Sequence, residues 1–219
     1  MSSGITSHSQ VGAKGNSMAN NSNYTAGSLI KKFQERSLYE KWHYTWNVIR
    51  GLLRRFQVDS PHLILMGRSV KIDKRNGQLT SGGVCVIQAG CRIAIVGKPE
   101  QPAHLHIGEG TEIGDRTTIN VNQEVNIGAC CSISWDCDIS DTDFHQVILK
   151  EGKTPPVTAP VIIEDNVWIG SHCLIFKGVT IGHHSVVAAG SVVHRSVPPY
   201  SLVTGNPARR IDTIEGWQR

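Results

Sequence analysis

The most regular feature of the chain is an aliphatic residue at every sixth position. The step is unbroken between residues 163 and 193, it recurs in two shorter runs upstream, and Ile87 and Ile93 start the series. The residues concerned are Ile107, Ile113 and Ile119; Ile127, Ile133 and Ile139; and Ile163, Ile169, Ile175, Ile181, Val187 and Val193. A period of six fits neither an α-helix, with about 3.6 residues per turn, nor a plain strand. It predicts a coil that turns a corner every six residues and buries each aliphatic between stacked coils.

Two further positions of the six-residue unit are restricted. The residue after the aliphatic is often glycine, as at Gly114, Gly128, Gly170 and Gly182, and we expect it to allow the tight turn. The fifth place is small or β-branched, and the cysteines at this place are Cys131, Cys137 and Cys173. We therefore expect these thiols to be small apolar fillers of the interior. The absence of any C-x-x-C spacing argues against zinc-ribbon and thioredoxin-like sites.

The N-terminal part has a different pattern. Residues 1–28 are rich in Ser, Asn and Gly, which predicts a flexible leader. Residues 29–58 predict an amphipathic basic helix, because large apolar residues recur at helical spacing. These residues are Trp42, Trp46, Ile49, Leu53 and Phe56. We expect this helix to pack on the body or on a partner subunit. The alternative is peripheral contact with an anionic membrane, which the Trp and Arg residues would suit.

Composition and charge narrow the class of protein. Only 18% of the residues are charged and 6% are aromatic, which is unlike a helical bundle and suits short strands with many turns. The formal net charge of +4 comes mainly from residues 31–55, which contain seven basic and two acidic residues. Residues 56–219 contain 14 basic and 16 acidic residues. The body is therefore not expected to bind nucleic acid. Without an apolar leader or a long apolar run, we expect a cytoplasmic protein.

The repeat breaks after Ile139 and resumes only near Val161. The intervening residues predict a loop over 145–160 that leaves the coil, and such loops on rigid scaffolds often carry active sites. His145 stands at its root, and an imidazole can accept a proton near neutral pH. Asp141 or Asp143 could orient that imidazole. His145 is therefore the candidate general base.

The C-terminal half carries a specific combination of motifs. Residues 163–197 are IEDNVWIGSHCLIFKGVTIGHHSVVAAGSVVHRSV, and PPYSLVTGNPARRI follows. The stretch from about residue 105 to 211 resembles the hexapeptide-repeat acyltransferases, in the branch of the maltose and galactoside acetyltransferases and the surface-polysaccharide O-acetyltransferases. The resemblance implies a left-handed parallel β-helix over 59–200, a C-terminal tail over 201–219, and a homotrimer with active sites between subunits.

The resemblance also implies roles for single residues. His145 matches the catalytic histidine, and Trp168 matches the Trp that packs on the pantetheine arm of acetyl-coenzyme A (acetyl-CoA), the acyl donor. Asn120 or Asn122 matches the asparagine that contacts the acceptor sugar. One departure is Asp212, which stands where a second basic residue is usual. The residues implied to contact the donor are Trp168, Ser171, Ala189, Arg195, Gly205, Asn206, Pro207 and Arg209.

These observations predict an acetyl-CoA-dependent O-acetyltransferase. It would transfer acetyl to a sugar hydroxyl in surface-polysaccharide or glycan biosynthesis, with His145 as general base and without a metal. One alternative is an N-acetyltransferase acting on an amino sugar or an amine-bearing drug. Another is a β-helix used only as a scaffold. Testing amine against hydroxyl acceptors would distinguish the two acetyltransferases, and failure to retain acetyl-CoA would favour the scaffold.

Overall fold

The structure is a computed structural model that describes Gln34 and residues 37–218. The leader predicted over 1–28, and most of the segment 29–36, lie outside the described residues. Helix α1 spans Leu38–Leu53 and begins at Ser37, whose side chain accepts from the Glu40 N–H while the Glu40 carboxylate accepts from the Ser37 N–H. This capping box satisfies two backbone donors and fixes the start of the helix.

Short strands make up the rest of the described chain, with short 3₁₀ turns at Arg55–Gln57 and Lys150–Gly152. The strands are β1 (Ile64–Met66), β2 (Lys71–Arg75), β3 (Gly77–Ser81), β4 (Cys85–Ile87), β5 (Arg92–Val96), β6 (Ala103–Ile107), β7 (Glu112–Ile113), β8 (Thr118–Val121), β9 (Glu124–Ile127), β10 (Ser132–Ile133), β11 (Asp138–Ser140), β12 (Val161–Ile163), β13 (Trp168–Ile169), β14 (Leu174–Ile175), β15 (Thr180–Ile181), β16 (Val186–Val187), β17 (Val192–Val193), β18 (Ser201–Thr204) and β19 (Arg209–Thr213).

Successive strands join three sheets in rotation, so the chain winds into a β-helix with three faces. The first sheet has the order β1-β4-β7-β10-β13-β16-β18-β19, the second β17-β14-β11-β8-β5-β2, and the third β15-β12-β9-β6-β3. Coils stack in parallel, and only the final pair, β18 and β19, is antiparallel. We call the corner between the first and second sheets the first edge, and the corner between the second and third sheets the second edge. Since β18 still pairs with β16, the stack continues past residue 200.

The interior confirms the six-residue pattern. Every aliphatic of the three runs, with Ile87 and Ile93, is at most 2% exposed. The register stacks like on like, with Ile133 beside both Ile113 and Ile169 in the first sheet. The fifth-place cysteines are equally buried, and Cys131 Sγ donates to the Glu164 carbonyl at 3.0 Å. The thiols therefore fill space, as predicted.

The glycines that follow the aliphatics have a different role from the predicted one. None of them has a positive φ; that conformation occurs two residues later, for example at His172 (φ 58) after Gly170. A Cβ on Gly170 would lie 2.5 Å from the backbone nitrogen of Ala189 in the next coil, and one on Gly114 would lie 2.5 Å from the carbonyl carbon of Ser134. Glycine is needed because the stacked backbones approach closely, not because the chain turns there.

Helix α1 packs on the first sheet by an unpredicted face. The predicted apolar stripe is largely exposed, with Trp42 57%, Leu53 71% and Phe56 80% accessible. The contact runs through Gly51, where a Cβ would lie 2.2 Å from the Ile64 carbonyl oxygen. The helix therefore packs on this chain's own body, but its apolar stripe does not make that contact. Contact of the stripe with a partner subunit or a membrane stays a prediction. Within the described residues, no helix is both long and apolar enough to cross a bilayer.

Candidate active site

The predicted loop leaves the coil at the second edge on a paired base. The Asp143 N–H donates to the Val157 carbonyl at 3.0 Å, and the Ala159 N–H donates to the Asp141 carbonyl at 2.9 Å. Lys177 Nζ lies 2.5 Å from Asp143 Oδ2 and so ties the base to the coil above. These contacts hold the two ends of the loop together and leave residues 144–156 outside the coil.

His145 lies at this base and is exposed. The backbone N–H of His145 donates to the Asp143 carbonyl at 2.7 Å. The preceding residue, Phe144, has φ 60, which is rare for an aromatic residue, and its N–H donates to Thr142 Oγ1 at 3.0 Å. Within residues 37–218 the His145 imidazole has no hydrogen-bond partner. The tight turn therefore fixes the backbone and leaves both ring nitrogens open to a substrate.

Neither of the two predicted carboxylates orients that imidazole within one chain. Asp141 is fully buried and accepts three backbone hydrogen bonds, from the N–H groups of Asn122 at 2.8 Å and of Gln123 and Glu124 at 2.7 Å. Burial raises the pKa of Asp141, and the three donors oppose that rise. Asp141 therefore fastens the turn between β8 and β9, whereas the Asp143 carboxylate pairs with Lys177.

The first edge collects the backbone positions implied to contact the donor. Ser171, Ala189 and the turn 205–207 stack in successive coils: the Gly190 N–H donates to the Ser171 carbonyl at 2.8 Å and the Val192 N–H donates to the Gly205 carbonyl at 2.9 Å. Arg209 follows this turn, at the start of β19. Arg195 is exposed but comes after β17, at the second edge, so it lies apart from the others.

Trp168 lies on the outer face of the first sheet and is 41% exposed. Its Nε1 donates to Ser134 Oγ at 3.5 Å. The Trp217 ring lies beside it, with centroids 6.0 Å apart, and Trp217 Nε1 donates to the Asn166 carbonyl at 2.6 Å. Sequence reasoning missed this second indole, because Trp217 lies in the C-terminal tail and reaches Trp168 only after the tail folds back.

The two candidate acceptor residues lie in different surroundings. Asn120 Nδ2 donates to Ser140 Oγ at 3.0 Å on the outer face of the second sheet, and Ser140 Oγ donates to Asp138 Oδ1 at 3.3 Å. Asn122 belongs to the turn fastened by Asp141. Burial raises the pKa of Asp138. Sequence reasoning missed Asp138, which looks like any outward-facing residue of the repeat.

Known proteins share the repeat and the fold. Residues 160–195 match the family model described as the hexapeptide repeat of succinyl-transferase. The galactoside O-acetyltransferase of Escherichia coli (strain K12) is 37% identical over 114 residues, which are 51% of this chain and 55% of that protein. The chain thus spans about half the length of this curated relative. The N-acyltransferase AntD from Bacillus cereus, crystallised with dTDP and 3-hydroxybutyryl-CoA, superposes with a TM-score of 0.61 at 21% identity, over 76% of this chain and 88% of that one.

The structural likeness establishes the fold, and the family model establishes the repeat. The prediction of a mainly β, left-handed parallel β-helix with an N-terminal helix and an extruded loop is confirmed. Residues 160–195 carry the hexapeptide repeat, and the chain resembles the hexapeptide-repeat acyltransferases.

Proposed function

We propose that this protein is an acetyl-CoA-dependent O-acetyltransferase that acts on a sugar hydroxyl in surface-polysaccharide or glycan biosynthesis. The observation that carries the proposal is the placement of His145. Its imidazole stands at the base of an extruded loop, exposed and without a hydrogen-bond partner in residues 37–218, on a backbone turn held by Asp143 and Thr142. A general base needs a ring nitrogen free to accept a proton. The turn fixes the His145 backbone at the loop base and leaves the ring nitrogens unbonded, which supports this role.

The reaction is a direct acyl transfer. His145 takes the proton of the acceptor hydroxyl as its oxygen bonds to the thioester carbonyl carbon. The tetrahedral intermediate then collapses, the carbon–sulfur bond breaks, and the imidazolium returns its proton to the departing thiolate. Binding both substrates in one cleft supplies a large part of the rate acceleration, so no covalent acyl-enzyme is needed.

The two halves of the proposed site lie on different edges of one chain. His145 is at the second edge, whereas Ser171, Ala189 and the turn 205–207 are at the first edge, with the second sheet between them. A cleft between neighbouring subunits brings the second edge of one copy to the first edge of the next. This arrangement supports a homotrimer whose donor groove, lined by Trp168, faces a histidine from the adjacent subunit.

The test is acetyl transfer from labelled acetyl-CoA to a panel of sugars, each offered as its hydroxyl form and as its amino-sugar counterpart. We expect transfer to hydroxyls, and we expect His145→Ala to lose about 10²- to 10⁴-fold in turnover while it still binds acetyl-CoA. His104→Ala is the matched control, because His104 is exposed on the third sheet. Transfer confined to amines, or full activity of His145→Ala, would overturn the proposal.

A further inference from the structure

A cavity of about 340 Å³ lies on the outer face of the second sheet, beside the base of the extruded loop. One wall comes from β11 and the residues that follow it, and the other from β14 and the residue after it. Its main lining residues are Asp138, Ser140, Thr142, Phe144, Leu174 and Phe176. Since His145 directly follows Phe144, a molecule held in this cavity lies next to the segment that carries the imidazole.

Two polar residues of the cavity lining, Asp138 and Ser140, belong to a row of hydrogen-bonded side chains that continues to Asn120, outside the lining. Asn120 donates to Ser140 at 3.0 Å, and Ser140 donates to Asp138 at 3.3 Å. Strands β8 and β11 pair in register, with Asn120 opposite Ser140, so the row is set by the coil itself. Within the described residues, no Lys, Arg or His nitrogen lies within ion-pair distance of Asp138. Its carboxylate keeps acceptor capacity that this row does not use.

Each wall of the cavity also carries an exposed aromatic ring. Phe144, on the β11 side, is 59% exposed, and Phe176, on the β14 side, is 38% exposed. The positive φ of Phe144 holds its ring at the loop base, which is a costly conformation for an aromatic residue. Apolar rings beside a few convergent polar groups are typical of a small-molecule site. A sugar ring matches both kinds of surface, with C–H groups for the aromatic rings and hydroxyls for the carboxylate.

Charge distinguishes between kinds of sugar. Asp143, the other carboxylate at the cavity, is neutralised by Lys177 at 2.5 Å, so Asp138 is the unpaired charge among the described residues at this site. Burial raises the pKa of Asp138, so a further negative charge beside this carboxylate would be unfavourable. A second carboxylate, carried by a uronic or sialic acid, would add like-charge repulsion.

We propose that this cavity is the acceptor subsite, that Asp138 accepts hydrogen bonds from the hydroxyls of a neutral sugar ring, and that the subsite excludes acidic sugars. The inference rests on the proposed function for the reaction that follows binding. The binding itself can be measured without any acetyl transfer.

The experiment uses saturation-transfer NMR on the full chain with neutral methyl hexosides and the matching methyl hexuronides. We expect the hexosides to bind and the hexuronides to bind more weakly. Asp138→Asn should weaken hexoside binding about 10- to 100-fold, because a hydrogen bond to a charged acceptor is lost, and should reduce the preference for the neutral sugar. Phe176→Ala should weaken both kinds of sugar alike. Asp73→Asn is the matched control, since Asp73 is exposed on β2 of the same sheet.

The outcomes separate this inference from the proposed function. Hexoside binding that depends on Asp138, with or without acetyl transfer, supports the subsite. Equal binding of hexosides and hexuronides, or hexoside binding unchanged by both Asp138→Asn and Phe176→Ala at an unchanged thermal midpoint, overturns it. Loss of acetyl transfer with sugar binding intact would count against the proposed function alone.

Discussion

The first and second edges of this β-helix differ in regularity, because the turns are alike at the first edge and vary in length at the second. At the first edge, turns of constant form recur, and the residue with positive φ occupies the same place at Arg116, Asp136 and His172. At the second edge, successive turns differ in length. They comprise the single residue Asn76, then 97–102, then 122–123, then the long excursion 141–160, and then 176–179. Every large departure from the six-residue step therefore falls at one corner.

The physical reason is that an insertion at a corner adds surface without disturbing the buried stack. Strands on either side of the second edge keep their register, as Ile139 and Ile163 show by remaining fully or almost fully buried across the long excursion. Confining insertions to one corner leaves the first edge free to stack backbone on backbone. The regular edge thus presents a row of stacked backbone turns, and the irregular edge presents varied side chains, including His145.

The largest effect should come from the residue that fastens the second edge. Asp141→Ala removes the acceptor of three buried N–H groups, and each unsatisfied donor is costly, so we expect a loss of about 3–5 kcal/mol in the free energy of unfolding. Urea denaturation measures it. Asp143→Ala is the control, because its partly exposed pair with Lys177 should contribute about 1 kcal/mol or less. Equal losses for both variants would show that Asp141 does not fasten this edge.

At the first edge, the sensitive position should be Gly170. A Cβ there would lie 2.5 Å from the Ala189 nitrogen, so the coils must separate, and we expect Gly170→Ala to cost about 2–3 kcal/mol. Gly190→Ala, at the same edge, meets no atom within 4 Å and has φ +72, so its cost should be the backbone strain of about 1 kcal/mol. Urea denaturation of both variants separates close approach from turn conformation. A larger loss for Gly190→Ala would reverse the assignment.

The sequence predicts the regular parts of this molecule well, because the six-residue step reports burial directly. The aliphatics from Ile163 to Val193, the buried cysteines and the excursion near His145 all follow from it. The step from Ile119 to Ile127 is longer than six residues, and the sequence alone does not explain it. It arises because β8 and β9 are longer than two residues and bury the additional Val121 and Val125.

Other features depend on contacts that no local pattern encodes. Asp141 and Asp143 look alike in the sequence, but one is buried under three N–H groups and the other pairs with Lys177. Trp217 approaches Trp168 only after the C-terminal tail folds back. The apolar stripe of helix α1 does not predict its contact with the sheet, which runs through Gly51 and not through the indoles.

The buried thiol of Cys85, in the interior between the two edges, should make the stability of the protein depend on pH in the alkaline range. Burial raises the pKa of the Cys85 thiol from 9.0 to about 12. Between these two pKa values the folded protein keeps the thiol proton and the unfolded chain loses it. The contribution of Cys85 to the free energy of unfolding is therefore complete below pH 9 and declines as the pH rises toward 12. At pH 10 we expect this contribution of Cys85 to the free energy of unfolding to be smaller by about 1.4 kcal/mol. Urea denaturation at pH 7 and 10 should show a smaller decline for Cys85→Ala than for the unchanged protein, and parallel declines would mean that the thiol is hydrated.

The smallest expected effect concerns the Trp168–Trp217 pair on the first sheet. It tests whether acetyl-CoA binds on the side of the first edge. Trp217 supports the Trp168 indole at a centroid distance of 6.0 Å while its own N–H is held by the Asn166 carbonyl. Trp217→Phe keeps an aromatic ring but loses that hydrogen bond, so Trp168 should be positioned less firmly. Because aromatic pairs contribute about 0.5–1.5 kcal/mol, we expect KM for acetyl-CoA to rise about threefold while KM for the acceptor stays unchanged. Trp46→Phe, on helix α1, is the control. A change in the acceptor KM instead would show that the two indoles contact the acceptor. It would contradict the assignment of the donor to the first edge and the acceptor to the second.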